Sequence, residues 1–525
     1  MVKIKILSTS DVHGYLFPTN FSGVNDQQPF GYLRAASVIK QIRAANPDEI
    51  VLFIENGDFI EGSPLTSYAF NTHDTEHLNQ KLCEMVNDVK PNAMVLGNHE
   101  FNYGVDYIAD TWQHRNFPIL DANITGPNHS KMIDAPYQII ESHGVKIGIL
   151  GLTTQYVPNW EQPANIAGLK FQSAVQTAKH YVPILKSQAD IVVVAYHGGF
   201  ERDLDNGKPT EQLTGENEGD ELLKAVDGID ALVTGHQHRE LAQLVHGIPI
   251  TQPGYRGANV GEIDLELDAQ KQIVNRDAKL IKTANYPVDS KLSEVVNGLQ
   301  ATVEKWMDQP LATINGDMRI TDYMDARLHG NAYLDLINKI QMDKMGVDIS
   351  GTALFNDEIT GFDRTVTIRN VVNSYVFPNT LVVEQLSGAD LKFALEKCAS
   401  FFTLHDDGRI TVSKAFSQPK LQLFNYDYYS GIEYTFDLNQ PVGQRVVKVI
   451  YHGKPLLDDQ TIKVVMNQYR GTGTGGYDTF STDKVIQSDS DDMPKLIMNY
   501  LKQHRTIDAH QPDNLHIIGI DHKKI

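Results

Sequence analysis

The stretch Ala93-Met94-Val95-Leu96-Gly97-Asn98-His99-Glu100 is a short apolar run that ends in side chains able to bind metal. The pattern recurs along the first half of the chain. Lys3–Ser8 leads into Asp11-Val12-His13-Gly14, and Ile50–Ile54 into Gly57-Asp58. Ile191–Ala195 leads into His197-Gly198-Gly199, and Ala231–Thr234 into Gly235-His236-Gln237-His238. Lys146–Gly151, ending in Leu152-Thr153-Thr154, is the one run without a ligand set. In α/β sheets, ligands gather outside the carboxyl ends of the strands. Strand ends carrying Asp, His and Asn would thus build one polynuclear metal site, and the chain reads as a metal-dependent hydrolase.

A chain of 525 residues exceeds one core, so two or more domains are expected. A net charge of −20 argues against a nucleic-acid polymer or an anionic membrane as main partner. A phosphorylated small molecule stays open, because a divalent metal pair reverses the local field. No protein partner is predicted. Cys83 and Cys398 lie far apart and outside any CxxC pattern, which fits a reducing compartment. Met1–Ile6 alternates polar and apolar residues like a strand and lacks the apolar stretch of a signal peptide, so a cytoplasmic location is expected. The glycosylation patterns at Asn20, Asn123 and Asn128 are read as chance.

Residues 1–325 alternate buried strands with amphipathic segments such as Gly31–Ala44 and Glu76–Val89. Ile248–Gln252 and Gly261–Leu267 look like closing strands, and a four-layer αββα sandwich covers both faces of two sheets. The acidic stretch Glu201–Asp220 reads as a solvated loop. Leu328–Lys344 has helical spacing, and residues 326–345 are expected to connect the domains. Residues 346–525 then form a separate α+β domain with one clear helix, Gly388–Ala399.

Asp11 and His13 can point at one metal, Asp58 can bridge two, and Asn98 offers a neutral oxygen. His197, His236 and His238 add imidazole nitrogens. Oxygen and nitrogen donors without thiolate suit two divalent ions, Mn²⁺, Zn²⁺ or Fe. Each element alone is weak evidence; their joint order after predicted strands decides the reading. Gly471–Gly476 formally satisfies GxGxxG, but no convincing helix follows, so a dinucleotide site is rejected.

This arrangement resembles the calcineurin-like metallophosphoesterases, and within them the 5′-nucleotidase and 2′,3′-cyclic-nucleotide 2′-phosphodiesterase/3′-nucleotidase family. The resemblance rests on Ser10–Gly14, Gly57–Pro64, Gly97–Gly104 and Thr234–His238 in the first half. In the second half it rests on Tyr375–Val383, Asn425-Tyr426-Asp427 and Asn467-Gln468-Tyr469-Arg470. It implies that Asp11, His13, Asp58 and His238 hold one metal, and Asp58, Asn98, His197 and His236 the other. His99 would meet the phosphoryl oxygen or leaving group, and Asn102 stands where the 5′-nucleotidase branch has an Asp that orients this His. The C-terminal domain would bind the nucleotide substrate, with Phe424 and Tyr469 clamping the base and Asn425 beside them. Leu354–Thr360 lacks the phosphate-holding Arg of the 5′-nucleotidase branch. The resemblance therefore implies in-line attack by a metal-activated hydroxide on a 2′,3′-cyclic nucleotide and then on its 3′-ester. Alternatives are a 5′-nucleotidase, a hydrolase of non-nucleotide phosphoesters, or a catalytically silent nucleotide-binding protein.

Overall fold

The computed structural model describes residues 1–22, 26–72, 75–210, 213–377, 379–418, 421–489 and 491–519. Residues 211–212 of the acidic stretch, Pro378 of the Tyr375–Val383 motif and residues 520–525 lie outside the described residues. The chain divides into two compact units, Met1–Lys305 and Trp306–Ile525.

The first unit holds strands β1 (Val2–Thr9), β2 (Ile50–Glu55), β3 (Ala93–Met94), β4 (Tyr137–Ser142), β5 (Val145–Thr153) and β6 (Ile191–His197). After them come β7 (Ala231–Val233), β8 (Glu240–Val245), β9 (Ile248–Pro253), β10 (Asn259–Leu267) and β11 (Ile273–Lys282). One sheet has the order β11-β10-β1-β2-β3, the other β8-β9-β7-β6-β5-β4. β1, β2 and β3 run parallel, as do β5, β6, β7 and β9. Each set of parallel strands therefore delivers its carboxyl ends to one edge.

Side-chain alternation builds the layers. Ile4, Ile6, Leu52, Ile54 and Ile263 of one sheet pack with Ile147, Ile149, Val193 and Val233 of the other in a single buried cluster. Val192, Val194, Leu150 and Leu152 face the opposite way and pack under the helix Ala174–Lys186. The helix Tyr32–Ala45 contacts β2 and β10 of the first sheet. This is the αββα sandwich. β5, the run without ligands, acts as a brace: Thr153 Oγ1 lies within hydrogen-bond distance of both Leu96 O (2.5 Å) and Asp121 Oδ2 (2.6 Å).

The second unit is α+β. Its central sheet runs Asp427–Ser430, Ser350–Ala353, Thr461–Asn467, Leu381–Ser387, Val485–Ser488. The helix Gly388–Ala399 starts on a capping box, with Ser387 Oγ accepting from Asp390 N and Asp390 Oδ2 accepting from Ser387 N.

Two expectations differ from what is seen. The division falls between Lys305 and Trp306, ahead of the boundary expected near residue 325. Residues 326–345 do not form one connecting helix. Gly330 (φ 74°) breaks the run into Tyr323–His329 and Ala332–Met345, and Asn331 caps the second helix by accepting from Tyr333 N. That second helix packs on strands of its own unit, including Ser350–Ala353. Periodicity alone does not register a left-handed glycine followed by a cap. Among the described residues, no helix is long and apolar enough to cross a membrane.

Ile149 is fully buried between the sheets. Ile149→Ala is expected to cost about 2–5 kcal/mol, seen as a lower denaturation midpoint with unchanged slope. Leu244→Ala, at a side chain 51% exposed, should change stability by under about 0.5 kcal/mol.

Candidate metal centre

The ligand loops begin with strained backbone. Asp11 (φ 55°), His13 (52°), Asp58 (56°), His236 (67°) and His238 (57°) all lie in the left-handed region. Such residues cost about 1–3 kcal/mol each and persist where surrounding bonds over-determine them. Here Asp11 N donates to Gly57 O (2.9 Å), His13 N to Asp58 O (2.7 Å) and Arg256 N to Asp11 O (2.7 Å). Close approach also needs glycine: a Cβ on Gly97 would lie 2.1 Å from Asp58 Oδ1, and one on Gly57 would lie 2.5 Å from Gly97 N.

Glu100, buried, joins the second and third loops. Its Oε2 accepts from Asp58 N (2.7 Å) and Gly97 N (2.5 Å), its Oε1 from Phe59 N (2.5 Å) and Ile60 N (3.3 Å). Asp58 Oδ1 in turn accepts from His99 N at 2.7 Å.

The donors gather in two groups, Asp11/His13/His238 and Asp58/His197/His236, with the ligand atoms of each group within 4.8 Å of one another. Asn98 Oδ1 joins the second, 2.8 Å from His236 Nδ1. Asp58 Oδ2 lies 3.2 Å from His197 Nε2 and 3.8 Å from His13 Nε2, so it reaches both groups. His13 Nδ1 is held by Glu61 O (3.0 Å) and His197 Nδ1 by Asn56 O (2.6 Å), which turns both Nε2 atoms inward. His236 has the opposite arrangement: Nε2 meets Glu216 Oε1 (2.9 Å) and Nδ1 faces the centre. Outer partners of this kind fix the tautomer and aim of a metal-binding imidazole.

The pocket suits cations. Asp58 Oδ2 and His197 Nε2 are buried without hydrogen-bond partners among the described residues. Burial opposes charge on Asp58, yet His197, His99 and His13 hold its carboxyl well below the usual range. Burial likewise opposes charge on His197, but Asp58 and Asp11 raise it to about 9. A carboxylate field that draws a proton onto a buried imidazole draws a divalent ion by the same attraction. The residues present therefore fit two such ions.

His99 stands beside the donors. Its Nδ1 lies 2.7 Å from Asn102 Oδ1 and 3.3 Å from Glu61 Oε2. Burial opposes its charge, but Asp58, Glu61 and Asn102 raise it to about 10. Sequence reading credited His99 with a neutral partner alone; the Glu61 carboxylate was missed. Trp160 stacks on His236 (5.3 Å between centroids, 29°) and Tyr255 on His238 (5.0 Å, 6°). Nor is the acidic stretch simply solvated. Glu216 holds His236, and Glu201 accepts from Asp220 N and Glu221 N. Glu61 and Glu100 lie inside the Gly57–Pro64 and Gly97–Gly104 motifs. Trp160 and Glu216 lie in stretches without periodicity, where one sequence carries no signal for them.

In the second unit, Phe424 and Tyr469 are neighbours, 6.3 Å apart and edge to face at 76°. Two rings sandwiching one base stand parallel at about 7 Å, twice the ordinary carbon contact distance. A base sandwiched by these two rings would require one of them to turn. Asn425 is buried and donates to Gln422 Oε1 (2.8 Å), while its own Oδ1 lies 3.4 Å from the Arg470 guanidinium. Arg470 pairs with Asp427 (2.7 Å) and donates to Thr474 O and Phe424 O, tying down the glycine-rich loop. Arg327 donates to Asp357 Oδ1 (2.8 Å) and Leu354 O (3.2 Å) in the segment that lacks its own Arg.

Residues 4–240 match the calcineurin-like phosphoesterase family and residues 310–482 the 5′-nucleotidase C-terminal domain. A Staphylococcus aureus protein provisionally assigned as a 5′-nucleotidase, solved with α-ketoglutarate, is 37% identical with a TM-score of 0.90, over 98% of this chain and 100% of that one. The 2′,3′-cyclic-nucleotide 2′-phosphodiesterase/3′-nucleotidase of Haemophilus influenzae is 27% identical over 95% of this chain and 84% of its own length. The trifunctional nucleotide phosphoesterase YfkN of Bacillus subtilis is 25% identical over 99% of this chain, which spans 39% of that longer protein. The chain thus belongs to the calcineurin-like phosphoesterases with a 5′-nucleotidase C-terminal domain, metal-dependent hydrolases that work with a dimetal centre.

Proposed function

We propose that this chain opens 2′,3′-cyclic nucleotides to 3′-nucleotides and then removes the 3′-phosphate. The observation that carries the reading is the Asn102 carbonyl, in place of a carboxylate, 2.7 Å from His99 Nδ1. Two features support it: the Leu354–Thr360 segment has no Arg, and Arg327 nearby is engaged with Asp357 and Leu354 O. The name of the Haemophilus influenzae relative points the same way. A 5′-nucleotidase is the second reading, favoured by the Staphylococcus aureus relative. A silent binding protein fits poorly, since all seven ligand positions hold competent donors. The two cysteines are buried and unpaired, which favours a reducing compartment such as the cytoplasm.

Two divalent ions, held by Asp11, His13, Asp58 and His238 and by Asp58, Asn98, His197 and His236, would supply Lewis acidity to the phosphoryl oxygens and lower the pKa of a bound water. The chain supplies the rest. The His99 main-chain N–H holds Asp58 Oδ1, while Asp58 Oδ2 has no hydrogen-bond partner among the described residues. With Nδ1 engaged by Asn102, His99 offers Nε2 to a phosphoryl or leaving oxygen. Water adds to phosphorus as the P–O2′ bond breaks, and the departing oxygen takes a proton. A second water then breaks P–O3′. Phe424 and Tyr469 would stack on the base, each contact contributing about 1–3 kcal/mol.

Initial rates on 2′,3′-cyclic AMP, 3′-AMP, 5′-AMP and bis-p-nitrophenyl phosphate test the reading, with Mn²⁺ or Zn²⁺ restored to stripped protein. The cyclic diester and 3′-ester should be preferred; preference for 5′-AMP would replace this reading with the second. Asp58→Asn should leave fewer than two ions per chain by elemental analysis and slow turnover by about 100-fold or more, near 3 kcal/mol. Phe424→Ala should raise KM for nucleotides by about 5-fold or more while sparing the small aryl diester. Equal damage to both substrates would remove the base-stacking role.

A further inference from the structure

A line of side chains runs outward from His99. Asn102 Oδ1 accepts from Nδ1 at 2.7 Å, and Asn102 Nδ2 donates to Glu161 Oε2 at 2.8 Å. Glu161 is buried, and its other oxygen accepts from Gln162 N (2.7 Å) and Asn165 Nδ2 (2.8 Å). Asn165 Nδ2 also donates to Asn102 O (2.9 Å), closing the network on the same residue. Among the described residues the contacts to the Glu161 carboxylate, from Asn102 Nδ2, Gln162 N and Asn165 Nδ2, all come from donors, which favour its charged form against the burial that opposes it. An amide has two ends, and the end that meets Glu161 must be its NH₂. The carbonyl end then faces His99, whose Nδ1 must carry a hydrogen.

The geometry points to Glu161 as a positioning residue that acts through Asn102 to aim the His99 ring. It gives a neutral partner the directional hold that a carboxylate in the Asn102 place would exert directly. The inference deepens the proposed function and rests on His99 taking part in that reaction. Glu161 comes from a different loop, one residue beyond Trp160, which stacks on His236. A single short turn would thus steady a ligand of the centre and the residue beside it. The rival for the same task is Glu61, whose Oε2 lies 3.3 Å from the same Nδ1.

Glu161→Gln separates the two. A Gln side chain has one oxygen, which Gln162 N and Asn165 Nδ2 claim, so its NH₂ would face the NH₂ of Asn102. Asn102 must then flip and present a donor to the Nδ1–H of His99. Asn102→Asp alone would set two carboxylates against each other, but combined with Glu161→Gln it restores one acceptor toward each side. In the zinc-loaded full chain, Glu161→Gln should lower nucleotide turnover by about 10–100-fold at unchanged metal content, and the double variant should recover it. The downfield His99 Nδ1–H proton resonance, identified by its loss in His99→Gln, should shift in Glu161→Gln and return in the double variant.

Wild-type turnover and an unmoved resonance in Glu161→Gln would overturn the inference and leave Glu61 as the holder of the ring. A loss that the double variant does not repair would overturn it too, reducing Glu161 to support for its own loop. If the wild-type chain hydrolysed no nucleotide, the proposed function would fall, and the resonance would still decide whether Glu161 orients His99.

Discussion

One carboxylate sets the shape of the centre. Glu100 accepts four main-chain N–H groups, three from the Asp58 loop and one from Gly97 ahead of Asn98. A buried carboxylate without donors is costly, and buried N–H groups without acceptors are costly as well. Each satisfies the other here, so neither loop can move alone. The two glycines that permit this approach have no room for a side chain. Asp58, the residue that reaches both donor groups, is therefore fixed by its backbone before its carboxylate binds anything.

The aim of the imidazoles follows the same economy. His13 and His197 are turned by main-chain carbonyls, His236 by the carboxylate of Glu216. Flat aromatic faces, Trp160 and Tyr255, back His236 and His238. Donors already aimed lose little freedom when a ligand arrives, and left-handed backbone at five positions is what that readiness costs.

Much of this was legible in the chain itself. Strand ends followed by Asp, His or Asn come together because parallel strands send their carboxyl ends to one edge. β5 was identified as the run without ligands, and its threonine proved to brace the sheets. What escaped was of two kinds. The break at Gly330 escaped because apolar spacing continues across it while the backbone does not. Glu161, Glu216 and Trp160 escaped because their partners lie 59, 20 and 76 residues away or sit in irregular loops. Pairing across such distances leaves no periodic trace. The Phe424 and Tyr469 rings are neighbours as the resemblance implied, but their edge-to-face angle could not be read from residue type.

The reach of these contacts along the chain has a consequence for how the centre comes into being. His236 N meets Asp11 across 225 residues, and β1 pairs with β10, where Val2 opposes Leu267. During synthesis the first ligands emerge long before their partners exist, and a nascent chain offers an ion only fragments of a cage. Loop closure over such lengths costs entropy before any contact offsets it, so the centre cannot close until the chain has reached His238. Ions then bind the finished first unit in preference to the open chain, and act as a clasp between its first strand and the His236–His238 loop.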